Sequence, residues 1–257
     1  MDTSTHWLSV GLMLPAALPE AAPSAPPAPR LWFHQGEGGA QASAQLIPAV
    51  LGLLAQGHTR LDELDAVVFG RGPGAFTGLR TAVAVVQGLA YGTRSARHPH
   101  GLPVLGIDTL MAVAEDARQR LHGAGPGLGT PQACTLTAVL DARMDEVYAA
   151  TYHFPDRTQP LAQLQGGPWL CPPEQLAALL GEAAQTAPLV GNVFELHGSR
   201  LPDTGQPTQT AWPTAAALLR LAPGLLAQGQ ATLAAQAQPL YVRDKVAQTT
   251  AERARQP

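Results

Sequence analysis

Charge of either sign is scarce in this chain: Asp, Glu, Lys and Arg together make up 14% of 257 residues, with a formal net charge of −3. A protein that grips nucleic acid alone needs a basic stripe to neutralise phosphates, and that footprint is missing. Any such contact would need help from partners. Cysteine is also scarce. Cys134 and Cys171 have no CxxC spacing and no nearby histidine pair, which excludes a disulfide framework or a zinc knuckle and favours buried thiols. No window reaches the ~18 apolar residues of a membrane span, and Met1 to Thr5 shows no basic region followed by an apolar stretch, so a cytoplasmic protein is expected. What is abundant is apolar surface: 46% of residues are hydrophobic, enough for one large α/β unit or two compact halves.

Local patterns divide the chain. Leu8 to Leu14 and Leu31 to His34 read as strands, separated by a Pro/Ala-rich surface loop from Pro15 to Pro29. Ala42 to Ala55 has helical spacing, kinked or started by Pro48 and ended near Gly57. Ala66 to Phe69 reads as a buried strand that runs into glycines, and Thr77 is placed to cap a helix reaching Gly92. Val104 to Ile107 and Leu110 to Leu121 continue as strand and helix. Beyond Gly123 to Pro131 the plan restarts with Leu136 to Leu140, an acidic turn at Asp141 to Asp145, and Val147 to Tyr152. Glu174 to Leu180 and Thr214 to Leu226 read as helices, with a strand-to-loop step at Leu189 to Asn192 between them. The second acidic turn echoes Asp2-Thr3-Ser4-Thr5 ahead of the first strand, which suggests an internal duplication.

The segment from Gly70 to Arg80 places a glycine loop between strand and helix, where backbone N–H groups can cradle a phosphate. A Walker loop is excluded because Leu79 and Arg80 follow Gly78, and a dinucleotide fingerprint lacks its third glycine. The simpler reading is that the glycines let the strand turn tightly into a packed helix. That helix carries two apolar stripes, Leu79, Val83, Val86 and Ala90 on one face and Ala82, Val85 and Leu89 on another. The preceding helix does the same with Leu46, Val50 and Leu53 against Ile47, Leu51 and Leu54. A helix that is apolar on two sides must be covered on two sides, by its own sheet and by the rest of the chain or a partner.

Gly72-Pro73-Gly74-Ala75-Phe76-Thr77-Gly78-Leu79-Arg80 resembles the signature of the TsaB family, also called YeaZ, the dimerisation subunit of the tRNA threonylcarbamoyladenosine complex. Asp2 to Thr5, Leu105 to Leu110, Leu140 to Arg143 and Tyr241 to Ala247 resemble further blocks of that family, so the likeness spans nearly the whole chain. It implies an α/β actin/Hsp70-like (ASKHA) fold of two RNase H-like lobes, the second reduced. The lobes would span residues 1–108 and 109–230, with a tail over 231–257 packing back on the first.

It also implies a scaffold that dimerises with the catalytic subunit TsaD through Leu46, Val50, Leu53, Leu79, Val83, Val86 and Ala90. The ATPase subunit TsaE would join the complex, tRNA would be met through it, and the chain alone would pair with itself. No cofactor is expected on this chain, ATP and metal belonging to the partners. Asp2 and Asp141 stand where actin-like folds place phosphate- and magnesium-facing acids, so that Asp2, Thr3, Ser4 and Asp141 would form a vestigial nucleotide site or, more simply, the acids are turn residues bonding their own backbone.

Two absences argue against catalysis. The catalytic relative carries His-x-x-x-His on its first helix, where this chain reads Gly39 to Gln45 without histidine, and none of its eight histidines form a pair four apart. His98 and His100, in the loop segment His98-Pro99-His100, are read as solvated rather than ligating. Ser4, Ser9 and Ser43 show no triad partner. Rival readings are a stand-alone nucleotide-binding enzyme or metallopeptidase of the same fold, and a homodimeric adaptor unrelated to tRNA. The family begins with an apolar strand ahead of Asp-Thr-Ser, whereas here Met1 alone precedes Asp2. The true start is therefore expected upstream, which the intact mass of the native protein would test.

Overall fold

The computed structural model describes residues 1–16, 28–95, 98–122, 133–156, 159–160, 162–181 and 185–243. Most of the Pro/Ala-rich loop and residues 244–257 lie outside them. An antiparallel hairpin opens the fold, β1 (Trp7–Leu14) with β2 (Arg30–Glu37). Helix α1 (Ala42–Gly57) follows, closed by His58 in the left-handed conformation at φ 51°. Pro48 lies inside α1 on its exposed side, so the carbonyl that loses its partner can face water.

Strand β3 (Val67–Gly72) leads through the glycine loop into α2 (Phe76–Gly92), then β4 (Val104–Asp108) pairs in parallel with β3. Thr77 is not the cap expected of it. Helix α2 starts two residues earlier than a Thr77 cap would place it, behind Ala75, whose N–H donates to the Ser4 carbonyl at 2.7 Å, so the chain's own N-terminal segment fixes the start. Helix α3 (Thr109–His122) completes the first half, whose order is ββαβαβα. Met1 and Asp2 bridge β3 and β1. The Met1 ammonium donates to Val68 O at 2.8 Å, Gly70 N donates to Met1 O at 3.0 Å, and Asp2 and Ser9 exchange two backbone bonds.

The second half is a five-stranded sheet in the order β7-β6-β5-β8-β9, from β5 (Cys134–Arg143), β6 (Glu146–Phe154), β7 (Gln163–Cys171), β8 (Leu189–Gly191) and β9 (Gln209–Thr210). Strand β7 is absent from the sequence reading because Gly166-Gly167-Pro168 interrupts its apolar run. It survives as an edge strand with shifted register, where a proline without N–H costs no ladder bond on the open side. Helices here shrink to single turns at Leu176–Leu179 and Phe194–His197.

Helix α4 (Ala215–Ala227) returns to the first half, capped by Thr214 Oγ1 accepting from Ala217 N. Leu218, Leu221 and Ala222 of α4 pack with Leu105, Ile107 and Ala112. A buried ion network locks this return: Glu115 on α3 accepts from Arg118 and from Arg220 of α4, both at 2.6 Å. Glu115 and Arg118 are buried, so the pair is satisfied from both sides, and removal of one member would strand the other charge.

Candidate functional site

The glycine loop, the acidic turn of the second half and the chain from Leu240 to Arg243 meet around a cleft of about 500 Å³. Its floor explains the glycines. A Cβ on Gly78 would lie 1.8 Å from the Thr3 carbonyl oxygen, one on Gly74 2.5 Å from Ser4 O, and one on Gly70 1.9 Å from an Asp2 carboxylate oxygen. Gly72 has φ 117°, and a Cβ there would lie 2.6 Å from Leu240 O. At Gly72, Gly74 and Gly78 the first contact is backbone, and at Gly70 it is the buried Asp2 carboxylate, so the signature glycines act as packing positions. The loop donors are used inside the chain as well: Gly72 N reaches Thr109 Oγ1 and Ala75 N reaches Ser4 O.

The four residues read as a vestigial nucleotide site divide into two groups. Asp2 and Thr3 are buried and turned inward: Asp2 Oδ1 accepts from Ser4 N and Ser4 Oγ, and Thr3 Oγ1 donates to Gly78 O at 2.8 Å. They brace the signature loop and do not face the cleft. Ser4 and Asp141 line it. Burial pushes the Asp2 carboxyl up to about 6, against the two Ser4 bonds and the Met1 ammonium, and its Oδ2 has no hydrogen-bond partner. Asp141 Oδ1 accepts from Arg143 N at 3.1 Å and lies 3.3 Å from His197 Nε2, while Asp141 N donates to Asn192 Oδ1. His197 and Asn192, which the sequence reading did not single out, come from the segment after β8. Only their place in the fold brings them to Asp141.

On the other wall the signature side chains meet the tail. The Arg80 guanidinium sits 3.9 Å over the Phe76 ring and donates to Tyr241 Oη at 3.0 Å, and the Phe76 and Tyr241 rings lie 5.1 Å apart. Arg243 reaches across to Glu146 at 2.6 Å and to Ala142 O at 3.0 Å, and Leu240 N donates to Arg71 O. The tail thus straps the signature loop to the β5–β6 turn. Pro73 and Thr77 complete the loop, Thr77 exposed at the first turn of α2. Among the described residues no three His, Cys, Asp or Glu side chains are grouped to hold a metal ion. His100 is exposed and His98 half-buried. Among them no helix is long and apolar enough to cross a membrane.

The seven residues assigned to a partner interface require a correction. Leu46, Val50, Leu53, Leu79, Val83, Val86 and Ala90 are between 0% and 8% exposed, covered by the chain's own sheet. Two apolar stripes cannot be told apart by spacing, and the sheet has taken this one. Of the second stripes only Ile47 and Leu51 face outward, 43% and 55% exposed; Leu54 and Ala82 are buried, Val85 and Leu89 pack against the core, and the large exposed side chain of α2 is Tyr91 at 61%. Around them α1 exposes Ala44, Pro48, Gly52 and Ala55, and α2 exposes Ala84 and Gly88. Helix α1 has no charged residue and α2 has Arg80 alone.

A family model described as TsaD, tRNA N6-adenosine threonylcarbamoyltransferase, matches residues 35–168. The Escherichia coli tRNA threonylcarbamoyladenosine biosynthesis protein TsaB is 29% identical over 217 residues, 79% of this chain and 81% of its own. The Haemophilus influenzae protein of the same name is 39% identical over 104 residues, 40% of this chain and 37% of its own. Among solved structures, YeaZ from Pseudomonas aeruginosa superposes with a TM-score of 0.70 at 32% identity, covering 93% of this chain and 96% of that one. A second Pseudomonas aeruginosa structure, described as an uncharacterized protein with similarity to peptidase YEAZ, gives 0.71 at 33% identity, covering 94% and 97%. With the glycine signature packed as described and agreement along nearly the full length, the chain belongs to the TsaB (YeaZ) family and has its actin/Hsp70-like α/β fold.

Proposed function

We propose that this chain serves tRNA threonylcarbamoyladenosine biosynthesis as a non-catalytic scaffold that pairs with a catalytic TsaD subunit through the outward face of α1 and α2. The observation that carries the reading is that face: two adjacent helices exposing Ile47, Leu51 and Tyr91 among small residues, with no charge on α1. Desolvating it costs little, and its small residues let a partner helix approach closely. The TsaD family model over residues 35–168 covers both helices, so a partner of related fold would present a similar pair, and like surfaces related by a two-fold axis are self-complementary. The same symmetry makes a homodimer the resting form of the isolated chain. ATP and metal would sit on the partner subunits, TsaE among them, and tRNA would be met through the assembly, consistent with the sparse charge here. Transfer of threonylcarbamoyl from its adenylate to N6 of adenosine 37 would be TsaD chemistry.

Co-purification with TsaD followed by a tRNA modification assay tests this. No product is expected from either subunit alone, with strong stimulation on mixing. Product formed by this chain alone, or failure to recover TsaD, would overturn it.

A further inference from the structure

Along α2 the residues that face water fall on one line: Thr77, Arg80, Ala84, Gly88 and Tyr91, at steps of three and four. Arg80 is the single charge on that line, and α1 beside it has none. Neither helix therefore offers a carboxylate. Among the described residues no acid pairs with Arg80 from elsewhere in the chain either.

The side chain is nevertheless held in place. Its guanidinium lies 3.9 Å over the Phe76 ring, and its Nε donates to Tyr241 Oη at 3.0 Å. Both terminal nitrogens are left without a bond among the described residues, and they form the planar fork that takes the two oxygens of one carboxylate. Arranged in advance, the fork loses little freedom when such a group arrives.

Beside it runs a groove of about 430 Å³ between Arg80, Ala84 and Gln87 of α2 and Gln238, Pro239 and Tyr241 of the tail. Ala84 is small, and a Cβ added at Gly88 would meet nothing within 4 Å, so a helix laid along this line can come close. A side chain leaving that helix over Ala84 has Arg80 one turn away. A nucleic acid backbone would instead need several cations in a row, and Arg80 stands alone.

We infer that Arg80 selects the partner. Resting on the scaffold reading above, the face accepts a helix that presents Asp or Glu to Arg80 and disfavours a second copy of this chain. Two copies packed face to face would take two arginines out of water with no acid on any of the four helices. A partner with a carboxylate there gains a two-point, charge-assisted bond. Self-pairing is thereby kept weaker than pairing with the partner.

Two affinities of the full chain test this, self-association by sedimentation and binding to the TsaD subunit by titration calorimetry. Arg80→Gln should tighten self-association at least about threefold while weakening TsaD binding at least about tenfold. Arg80→Glu should weaken TsaD binding at least about tenfold further, by setting like charges together. Changes that are not opposed in sign, or equal losses of TsaD binding from the two variants, would overturn the inference. Arg243→Met loosens the same tail from its far end and leaves Arg80 charged. If it reproduced the opposed changes, the tail and not the charge would choose the partner, and the inference would fail. A parent that does not bind TsaD would overturn the scaffold reading itself, whereas binding without the opposed changes leaves that reading standing and removes only this one.

Discussion

Asp2 carries a carboxyl group that folding removes from water while leaving one oxygen without a hydrogen-bond partner. Desolvation raises it from 3.8 to about 6. A raised acid leaves stability intact below its unfolded value and removes it as pH rises through the folded one, so the loss falls between about pH 4 and 6. At about 1.4 kcal/mol per unit it reaches about 3 kcal/mol. Asp2→Asn should escape it: urea unfolding of variant and parent should diverge across that window, and parallel curves would refute the assignment. The difference between the two proteins is the quantity to read, because the Met1 ammonium, lowered to about 6, changes stability in the opposite sense at higher pH. Gly78→Ala tests the other side of the same contact. Its Cβ would press on the Thr3 backbone at 1.8 Å, a clash without a flexible end, so a loss of about 2–4 kcal/mol is expected in chemical denaturation.

Helix α1 shows how one element serves two surfaces. Leu46, Val50 and Leu53 anchor it to β1, and Ile47 and Leu51, one position further round, remain outside. Replacing Ile47 and Leu51 by Glu should change stability by no more than about 0.5–1 kcal/mol, since both side chains already meet water. Recovery of TsaD in the co-purification should nevertheless fall at least about a hundredfold, because two charges would then be desolvated without partners. Loss of both folding and recovery would show that the helix is simply core. The tail behaves as a strap held at few points. Arg243→Met removes the contacts to Glu146 and Ala142 O while keeping the stem, and limited proteolysis near Tyr241 should speed up about tenfold. The start of α2 lies where Ser4 receives the Ala75 N–H, and Thr77, a better cap by residue type, is overruled by that contact.

Over the whole molecule, the exposed face of α1 and α2 predicts self-association of the isolated chain. Sedimentation should show a dimer at micromolar concentration that Leu51→Glu dissociates, and a parent that stays monomeric at every concentration would remove the homodimer from the proposal. Much of this organisation was legible in the sequence, because strands and helices write their periodicity locally: β1, α1, β3, α2, β4, α3 and the β5–β6 hairpin all begin and end near where spacing and glycine placed them. The glycine signature was equally legible, since close backbone approach tolerates no other residue there. What the sequence could not decide was orientation and assembly at a distance. On α1 two equivalent apolar stripes are told apart only when the sheet settles on one and leaves Ile47 and Leu51 outside, whereas on α2 both stripes are taken into the core. Strand β7 exists because its partner β6 supplies a ladder that Gly166-Gly167-Pro168 would not have nucleated alone. Asp141 meets His197 and Asn192, and Arg80 meets Tyr241, across 56, 51 and 161 positions of chain, so those contacts depend on the packing of both halves and on no local pattern.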